Sequence, residues 1–280
     1  MPLYVNTNVA SLFAQRNVTR STAQQGKALE RLSTGLRINS AADDAAGLAI
    51  SDRFRSRIRS MEQAQRNAND GVSVIQTAEG SLEQMTGIIH RLRELAVQSA
   101  NGSLTDADRL FIDKEFQTLV SEVDRIAGGT TFNGRKLLNG SASTGITFQV
   151  GPDNTTLDRI SVSIENTQAS RLGTGGTKLN TQGASTVTKS QNSLSVIDAA
   201  LSQISTVRAS LGATQNRLNI TIDNLGTSVE NLSASNARIR DADIAKETAN
   251  LTRAQILVQA GVSVLSQANQ SPQVALSLLQ

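Results

Sequence analysis

A heptad repeat of apolar residues runs through residues 51–101 and limits what this chain can fold into. Counted in sevens, the first and fourth positions of each heptad are apolar or small: Met61, Ala64, Ala68, Gly71, Ile75, Ala78, Leu82, Met85, Ile89, Leu92 and Ala96. A seam of this length with polar residues elsewhere is typical of a coiled coil. Roughly 48 residues of α-helix would extend about 70 Å, too long for a compact globule, so the seam requires a partner.

A second heptad repeat, in residues 192–240, provides that partner. Its core positions recur every seven residues without a break: Ile197, Ile204, Leu211, Leu218, Leu225, Leu232 and Ile239. The chain is therefore predicted to run out along the first long helix and to return antiparallel along the second. The first helix should stop at Asn101-Gly102, a pair suited to the left-handed conformation. Thr105 and Asp108 then resemble a capping box that opens a third helix, which should fold back on the first.

An alternation of apolar and polar residues predicts one β-hairpin at the far end of the two long helices. The apolar positions fall in two short stretches: Ile146, Phe148, Val150, and then Ile160, Val162, Ile164. The turn-forming residues 151–154 lie between them, so we predict a hairpin near residues 146–164. Residues 166–190 are rich in Gly, Ser, Thr and Gln, and they are predicted to form a loop or a flexible surface.

The two ends of the chain carry sparser helical stripes. In residues 5–35 the stripe consists of Val9, Leu12, Ala23, Leu29, Leu32 and Leu36. From about residue 241 to 268 it consists of Ile244, Leu251, Ala254, Val258, Gly261, Leu265 and Ala268. Helices with so few apolar residues are marginal alone, so we expect them to pair and to fold fully only against other copies of the chain.

The expected fold class is therefore mainly α. It consists of a long antiparallel coiled-coil or helical-bundle rod with one small β-hairpin region, and the terminal helices pair as a coiled coil.

The composition argues against enzymes and nucleic-acid-binding proteins. The chain has no Cys, one His at position 90 and only 2% aromatic residues, so no catalytic, metal or cofactor site is expected. Its 27 basic and 24 acidic residues are mixed along the helices and do not form the basic face that nucleic acids require. No apolar run approaches 18 residues and the N-terminus lacks a secretory pattern, so we expect neither membrane insertion nor a cleaved signal.

Two charged segments have more than one interpretation. Asp43 and Asp44 have the spacing of paired catalytic carboxylates, but their Asn- and Ser-rich surroundings favour helix capping. The second segment is a run of alternating arginines: Arg53, Arg55, Arg57 and Arg59. In a helix this run places like charges four residues apart, which is mildly destabilising. Either the arginines form a solvated basic turn, or acidic groups of a neighbouring subunit face them.

Several long motifs resemble the signatures of bacterial flagellins. In the N-terminal half these are residues 32–47 (LSTGLRINSAADDAAG), 66–71 (RNANDG), 76–80 (QTAEG) and 93–101 (RELAVQSAN). The stretch that leads into the hairpin contributes residues 132–134 with 137–138, and 149–151. The C-terminal half contributes residues 238–245 (RIRDADIA) and 255–257 (QIL). In this order they cover roughly residues 1–165 and 190–280, nearly the whole chain.

The resemblance implies a structural role as the self-assembling subunit of the bacterial flagellar filament. In flagellins the terminal helices form the inner coiled-coil tube, which corresponds here to residues 1–45 and 240–280. The long helices, the third helix and the hairpin form the surrounding layer, which corresponds to residues 46–165 and 190–239. The outer domains that many flagellins insert would be reduced to a short variable loop, residues 166–189.

Subunit assembly is expected to use the signature motifs, the arginine run and the apolar positions of the last helix. The residues assigned to it are Leu32, Leu36, Ile38, Asp43, Asp44, Arg53, Arg55, Arg57, Arg59, Arg238, Arg240, Asp241, Asp243, Leu251, Val258 and Leu265.

The resemblance also implies partners and a location. Flagellins leave the cell through the flagellar type III export apparatus, and a dedicated export chaperone binds their C-terminal segment, here about residues 240–280. Cap and hook–filament junction proteins contact the filament ends. The filament is expected outside the cell, with a periplasmic flagellum as the alternative. The vertebrate Toll-like receptor for flagellin reads a surface whose matching positions here are Arg91, Leu95, Gln98 and Glu115.

Two alternative functions share part of this pattern. A minor flagellin or a hook–filament junction protein has similar helical termini, although junction proteins usually match these signatures less fully. A soluble coiled-coil scaffold would explain the heptads, but it would not explain terminal helices that are too sparse to fold alone.

Overall fold

A computed structural model describes the backbone of residues 7–277 and the side chains of residues 7–270. The helices are α1 (Val9–Thr34), α2 (Ala45–Ser99), α3 (Asp106–Gly129), α4 (Val187–Arg240) and α5 (Ile244–Ser277). The strands form three antiparallel pairs: β1 (Thr131–Phe132) with β2 (Arg135–Lys136), β3 (Ile146–Gln149) with β4 (Arg159–Val162), and β5 (Gly173–Thr174) with β6 (Thr177–Lys178). The expected mainly α fold class is confirmed.

The chain divides into two compact units. The terminal unit consists of Met1–Ile58 and Glu230–Gln280, and the central unit consists of Arg59–Val229. In the described part of the chain, no helix is long and apolar enough to cross a membrane.

The heptad seams of α2 and α4 form the core of the central unit. Buried seam positions on α2 include Ala68, Ile75, Ala78, Leu82, Met85, Ile89, Leu92 and Ala96, and on α4 Ile197, Ile204, Leu211 and Leu218. Polar contacts show that the helices run antiparallel. Ser190 Oγ donates to Ser99 Oγ over 3.0 Å, and further down Arg208 Nη2 lies 3.6 Å from Glu79 Oε1.

Helix α3 begins with the predicted capping box and packs against the same core. The Asp108 amide donates to Thr105 Oγ1 over 3.3 Å, and the Thr105 amide donates to Asp108 Oδ2 over 3.1 Å. The Thr105 hydroxyl also donates to Asp108 Oδ2 over 2.6 Å, and this bond, with that from the Thr105 amide, holds the pKa of Asp108 below its usual value. The apolar side of α3 buries Phe116, Val120 and Val123 completely or nearly so.

The predicted stop of α2 is wrong in its mechanism. Helix α2 ends at Ser99, and neither Asn101 nor Gly102 adopts a positive φ. Instead, Arg109 of α3 caps the helix: its Nε donates to the Ser99 carbonyl over 2.9 Å and its Nη2 to the Asn101 carbonyl over 2.8 Å. The Arg109 side chain is buried, so a cation satisfies the Ser99 carbonyl at the end of α2 and binds a second carbonyl in the loop that follows.

The predicted hairpin forms and packs on α2. Strands β3 and β4 pair with Phe148 opposite Ile160, and Asn67 Nδ2 donates to the Gln149 carbonyl over 3.0 Å. Gly71 interrupts the apolar seam of α2 at this point. A Cβ there would lie 3.2 Å from Leu218 Cδ1 and 3.3 Å from the Phe148 ring, so glycine lets the hairpin approach the helix closely.

The prediction of a loop or flexible surface for residues 166–190 is wrong in part. The segment contains β5, β6 and a short 3₁₀ turn, and it buries Ala169, Leu172, Leu179 and Ala184. Side chains of α3 and α4 form hydrogen bonds with its backbone. Asp124 Oδ1 accepts from the Ala169 amide over 2.7 Å, and Gln203 pairs with both the amide and the carbonyl of Gly173. The buried residues of this segment do not recur at a regular spacing, so the sequence pattern does not indicate a helix or a strand here.

In the terminal unit, α1 and α5 pair antiparallel, as expected for the terminal helices. Asn8 caps α1 and also donates from Nδ2 to the Ala268 carbonyl over 2.7 Å. At the other end, Arg31 Nη1 lies 3.3 Å from Glu247 Oε1. Between them, a Cβ at Gly261 would lie 2.7 Å from Val18 Cγ2, so the two backbones are close.

Candidate functional surfaces

Two of the signature motifs meet in the terminal unit, where α1 leads into α2 and α4 leads into α5. Leu36 and Asp241 form an antiparallel bridge, the Arg37 amide donates to the Arg240 carbonyl over 2.6 Å, and the Ala242 amide donates to the Gly35 carbonyl over 2.9 Å. Gly35 ends α1 in the left-handed conformation with φ 71°. Segments about 200 residues apart in the chain therefore form one hydrogen-bonded junction.

Asp43 and Asp44 form the adjoining turn: Asp44 caps the start of α2, as predicted, whereas Asp43 closes the turn before it. Asp43 Oδ2 accepts from the Ser40 amide and hydroxyl, each over 3.1 Å, and these bonds hold the pKa of Asp43 below its usual value. Asp44 Oδ1 accepts from the Gly47 amide over 2.8 Å at the start of α2. Ile38 is buried beside Gly47, where a Cβ would lie 2.7 Å from Ile38 Cδ1.

On the other side of the junction, charged residues of the motif 238–245 form hydrogen bonds within the terminal unit. Arg240 Nη1 lies 3.4 Å from both Ser51 Oγ and Asp52 Oδ1. Arg238 donates to Ser235 Oγ over 2.9 Å. Asp243 Oδ1 accepts from the Lys246 amide over 3.1 Å and so caps the first turn of α5.

The arginine run lies on the exposed surface of α2. The side chains of Arg53, Arg55, Arg57 and Arg59 are all exposed. This exposure is compatible with both interpretations of the run, a solvated turn or a contact with acidic groups of another subunit.

The pairing of α1 with α5 leaves large apolar side chains outside the pair. On α5 the predicted positions Leu251, Val258 and Leu265 are half-buried. On α1 the predicted stripe is wrong in part: Leu32, like Leu36 just beyond the helix, is half-buried, but the least exposed positions of α1 are Ala14 and Ala28. The large apolar residues that lie exposed on the two helices are Val9, Leu12, Phe13, Leu29, Ile244, Ile256, Leu257, Val262 and Val264.

A charged cluster occupies the surface between α2 and α3. Arg91 Nε and Nη2 donate to Glu115 Oε1 over 3.0 and 2.9 Å, and Arg91 Nη1 donates to Glu94 Oε2 over 3.0 Å. These bonds raise the pKa of Arg91 and hold its guanidinium in one orientation. Gln98, two turns further along α2, is exposed on the same face. The structure thus brings Arg91, Gln98 and Glu115 onto one surface.

Leu95 differs from the other three predicted recognition residues. It is only 1% exposed and belongs to the core between the helices. Its position in the helix turns it toward the interior, so it supports the α2 surface from beneath and is not available for direct contact. Phe111, which the sequence analysis does not assign, is 76% exposed one turn before Glu115 on α3.

The comparison with known families agrees with the motif positions. Residues 5–143 match the family model of the bacterial flagellin N-terminal helical region, and residues 194–279 match that of the C-terminal helical region. Together the two matches cover well over half of the chain. The chain belongs to the flagellin family.

Individual relatives support the same assignment. A flagellin of Halalkalibacterium halodurans is 44% identical over 278 residues, which are 99% of this chain and 100% of the relative. The B-type flagellin of Pseudomonas aeruginosa is 52% identical over 174 residues, and these span 62% of this chain but only 35% of that longer protein. The crystal structure of Bacillus cereus flagellin superposes with a TM-score of 0.50 at 29% identity, over 61% of this chain and 94% of that one.

Flagellins are structural proteins that self-assemble into filaments, and a filament subunit needs surfaces that other copies cover. In this flagellin, large apolar residues lie exposed on both α1 and α5.

Proposed function

We propose that this flagellin is a propagating subunit of an extracellular flagellar filament that drives swimming. The observation that carries the proposal is the set of large apolar side chains on the outer sides of α1 and α5. Fully burying one such side chain contributes about 1.5–3 kcal/mol, so covering them with other copies favours assembly strongly. Residues 1–45 and 240–280 would then form the inner tube, residues 46–165 and 190–239 the layer around it, and residues 166–189 the short variable segment in place of outer domains.

Seeded polymerisation of the purified chain tests the proposal. The full chain should elongate seeds into long uniform filaments in electron micrographs, whereas chains that lack residues 1–40 or 245–280 should remain monomeric, because each deletion removes one partner of the α1–α5 pair. A full chain that stays monomeric with protease-resistant termini would favour the coiled-coil scaffold. A chain that binds filament ends without elongating them would favour a hook–filament junction protein.

Export and filament-end partners follow from the same proposal. The chain would leave the cell through the flagellar type III apparatus, with a chaperone on residues 240–280 that covers the exposed apolar face of α5 before assembly. Cap and hook–filament junction proteins would contact the two filament ends. Family membership supports these partners, and the exposed Ile256, Leu257 and Val262 of α5 suit a chaperone groove.

We also propose that the monomer is a ligand of the vertebrate Toll-like receptor for flagellin. The observation that favours this second role is the exposed cluster of Arg91, Glu94, Gln98 and Glu115, in which the guanidinium is already oriented by two carboxylates. A charged side chain that is held in place loses little conformational entropy on binding, and arginines of this kind are frequent binding hot spots.

Charge reversal at Arg91 tests receptor recognition. Arg91→Glu should reduce receptor signalling by about 30-fold or more, the loss expected for a binding hot spot. The measurement is a dose–response assay with receptor-expressing cells and monomeric protein. Arg93→Glu is a matched control, because both arginine side chains are 48% exposed and ion-paired, but Arg93 pairs with Asp198 of α4. Equal potency of the Arg91→Glu variant and the wild-type protein would contradict the proposal.

A further inference from the structure

The loop between β3 and β4 contains one leucine that is almost fully exposed to solvent. Leu157 is 91% exposed, yet the loop around it is tied together by its own side chains. Thr155 Oγ1 donates to Asp158 Oδ2 over 2.6 Å, and the Asp158 amide donates back to Thr155 Oγ1 over 3.3 Å. Gln149 Nε2 donates to the Gly151 carbonyl over 2.9 Å. A loop with this many internal bonds holds Leu157 in a fixed position, so little conformational freedom would be lost if Leu157 packed on a partner.

A second exposed apolar feature lies at the opposite end of the central unit. Leu110 and Phe111, on the first turns of α3, are 61% and 76% exposed. Arg109 fastens these turns to the end of α2 at Ser99, whereas the β3–β4 hairpin is fastened to α2 at Asn67. Roughly 30 residues of helix, or about 45 Å, separate the two attachment points.

We infer that these two features form a head-to-tail contact, in which Leu157 of one copy packs on Leu110 and Phe111 of the next. A contact between two different surfaces at opposite ends of a unit repeats without closing, whereas a closed dimer would pair one surface with itself. The occupant is a second copy because flagellins build filaments, and filaments require contacts that do not close. The inference rests on the proposed filament function and adds the residues of one interface.

Charges beside the two apolar features complement each other. Arg159 is exposed two residues after Leu157, and its guanidinium donates to the uncharged side chains of Gln149 and Asn154. The neighbouring Asp158 is partly buried and accepts from Thr155. At the other end, Asp106 lies one turn before Leu110 on α3; its side chain is 85% exposed, and its Oδ1 pairs with Arg109 Nη1 over 2.9 Å. The guanidinium of one copy and the carboxylate of the next would flank the apolar contact and set its orientation.

Cysteine crosslinking tests this contact directly, because the natural chain contains no cysteine. Filaments of the double variants Leu157→Cys/Leu110→Cys and Leu157→Cys/Phe111→Cys are oxidised and run on non-reducing gels. At least one of them should give a ladder of covalent oligomers, since a disulfide requires Cβ atoms about 4 Å apart. Each single variant should stay monomeric on the gel, and filaments copolymerised from two complementary single variants should give dimers only.

The control double variant is Leu157→Cys/Ile220→Cys, because Ile220 of α4 is also 61% exposed but lies outside the proposed contact. It should give no ladder. Filaments that form normally while neither test variant crosslinks would overturn the inference and leave the filament function intact. Self-dimers of Leu157→Cys would overturn it too, because they indicate a closed contact. Failure of the wild-type chain to polymerise counts against the filament function itself.

Discussion

Replacing Phe116 by alanine is expected to lower the free energy of unfolding by about 3–5 kcal/mol, the usual cost of deleting a fully buried aromatic ring. Phe116 has no exposed surface, and it lies in the core where α3 packs on α2. The ring lies between helices whose spacing depends on it. The cavity that alanine would leave therefore cannot close unless α3 shifts. Chemical denaturation of the depolymerised full chain, followed by far-ultraviolet circular dichroism, measures the change.

Phe111→Ala is the matched control for this variant. It makes the same substitution on the same helix, but Phe111 is 76% exposed in the single chain. Its effect on the unfolding of the monomer should therefore stay within about 0.5 kcal/mol. If the two variants unfold at the same denaturant concentration, then α3 is not held to the core by Phe116 and the packing of the central unit is wrong.

The long helices of the central unit could be predicted because their apolar seams repeat many times. Ile75, Leu82 and Ile89 recur at seven residues, and each is completely buried. Repetition over many turns outweighs local exceptions such as Gly71. The structure explains this glycine, because the hairpin approaches α2 closely at that position. The hairpin itself was predictable for the same reason, because a period of two differs clearly from the helical pattern.

The sequence was less informative where single residues and side-chain-to-backbone bonds determine the structure. Leu172 and Leu179 are buried within residues 166–190, but they follow no period, and Gln203 and Asp124 hold that segment from distant helices. On α1 the large apolar residues suggested a stripe, yet Ala14 is buried and Leu12 is exposed. Small side chains let α1 and α5 approach each other closely. The side of α1 that packs on α5 is therefore determined by the size of its residues and not by their hydrophobicity.

The candidate surfaces were predicted unevenly. The family resemblance led to Arg91 and Glu115, and the structure shows them hydrogen-bonded to each other. The same resemblance led to Leu95, which the structure places in the core. Phe111 and Leu157 have no motif at all, since exposure of one apolar side chain is recognised only when its surroundings are known.

Substituting alanine for Arg109 is expected to lower the free energy of unfolding by about 2–4 kcal/mol, although Arg109 is a charged residue on a helix with exposed neighbours. Its guanidinium satisfies the carbonyls of Ser99 and Asn101, and the side chain is only 5% exposed. Alanine would leave the buried Ser99 carbonyl without its donor at the end of α2, whereas the exposed Asn101 carbonyl would keep the Leu104 amide at 3.5 Å, and the change would also release α3 from that end. The same denaturation experiment measures the loss.

Arg125→Ala provides the comparison, because both arginines pair with an acidic residue three positions earlier on α3. The Arg125 side chain is 71% exposed and contacts Glu122 alone among the described residues, so its loss should cost at most about 1 kcal/mol. Arg109→Lys should fall between the two alanine variants, because an ammonium group cannot reach two carbonyls in the fixed geometry of a guanidinium. Equal costs for the two alanine variants would mean that the ion pair, and not the capping of α2, is what Arg109 contributes.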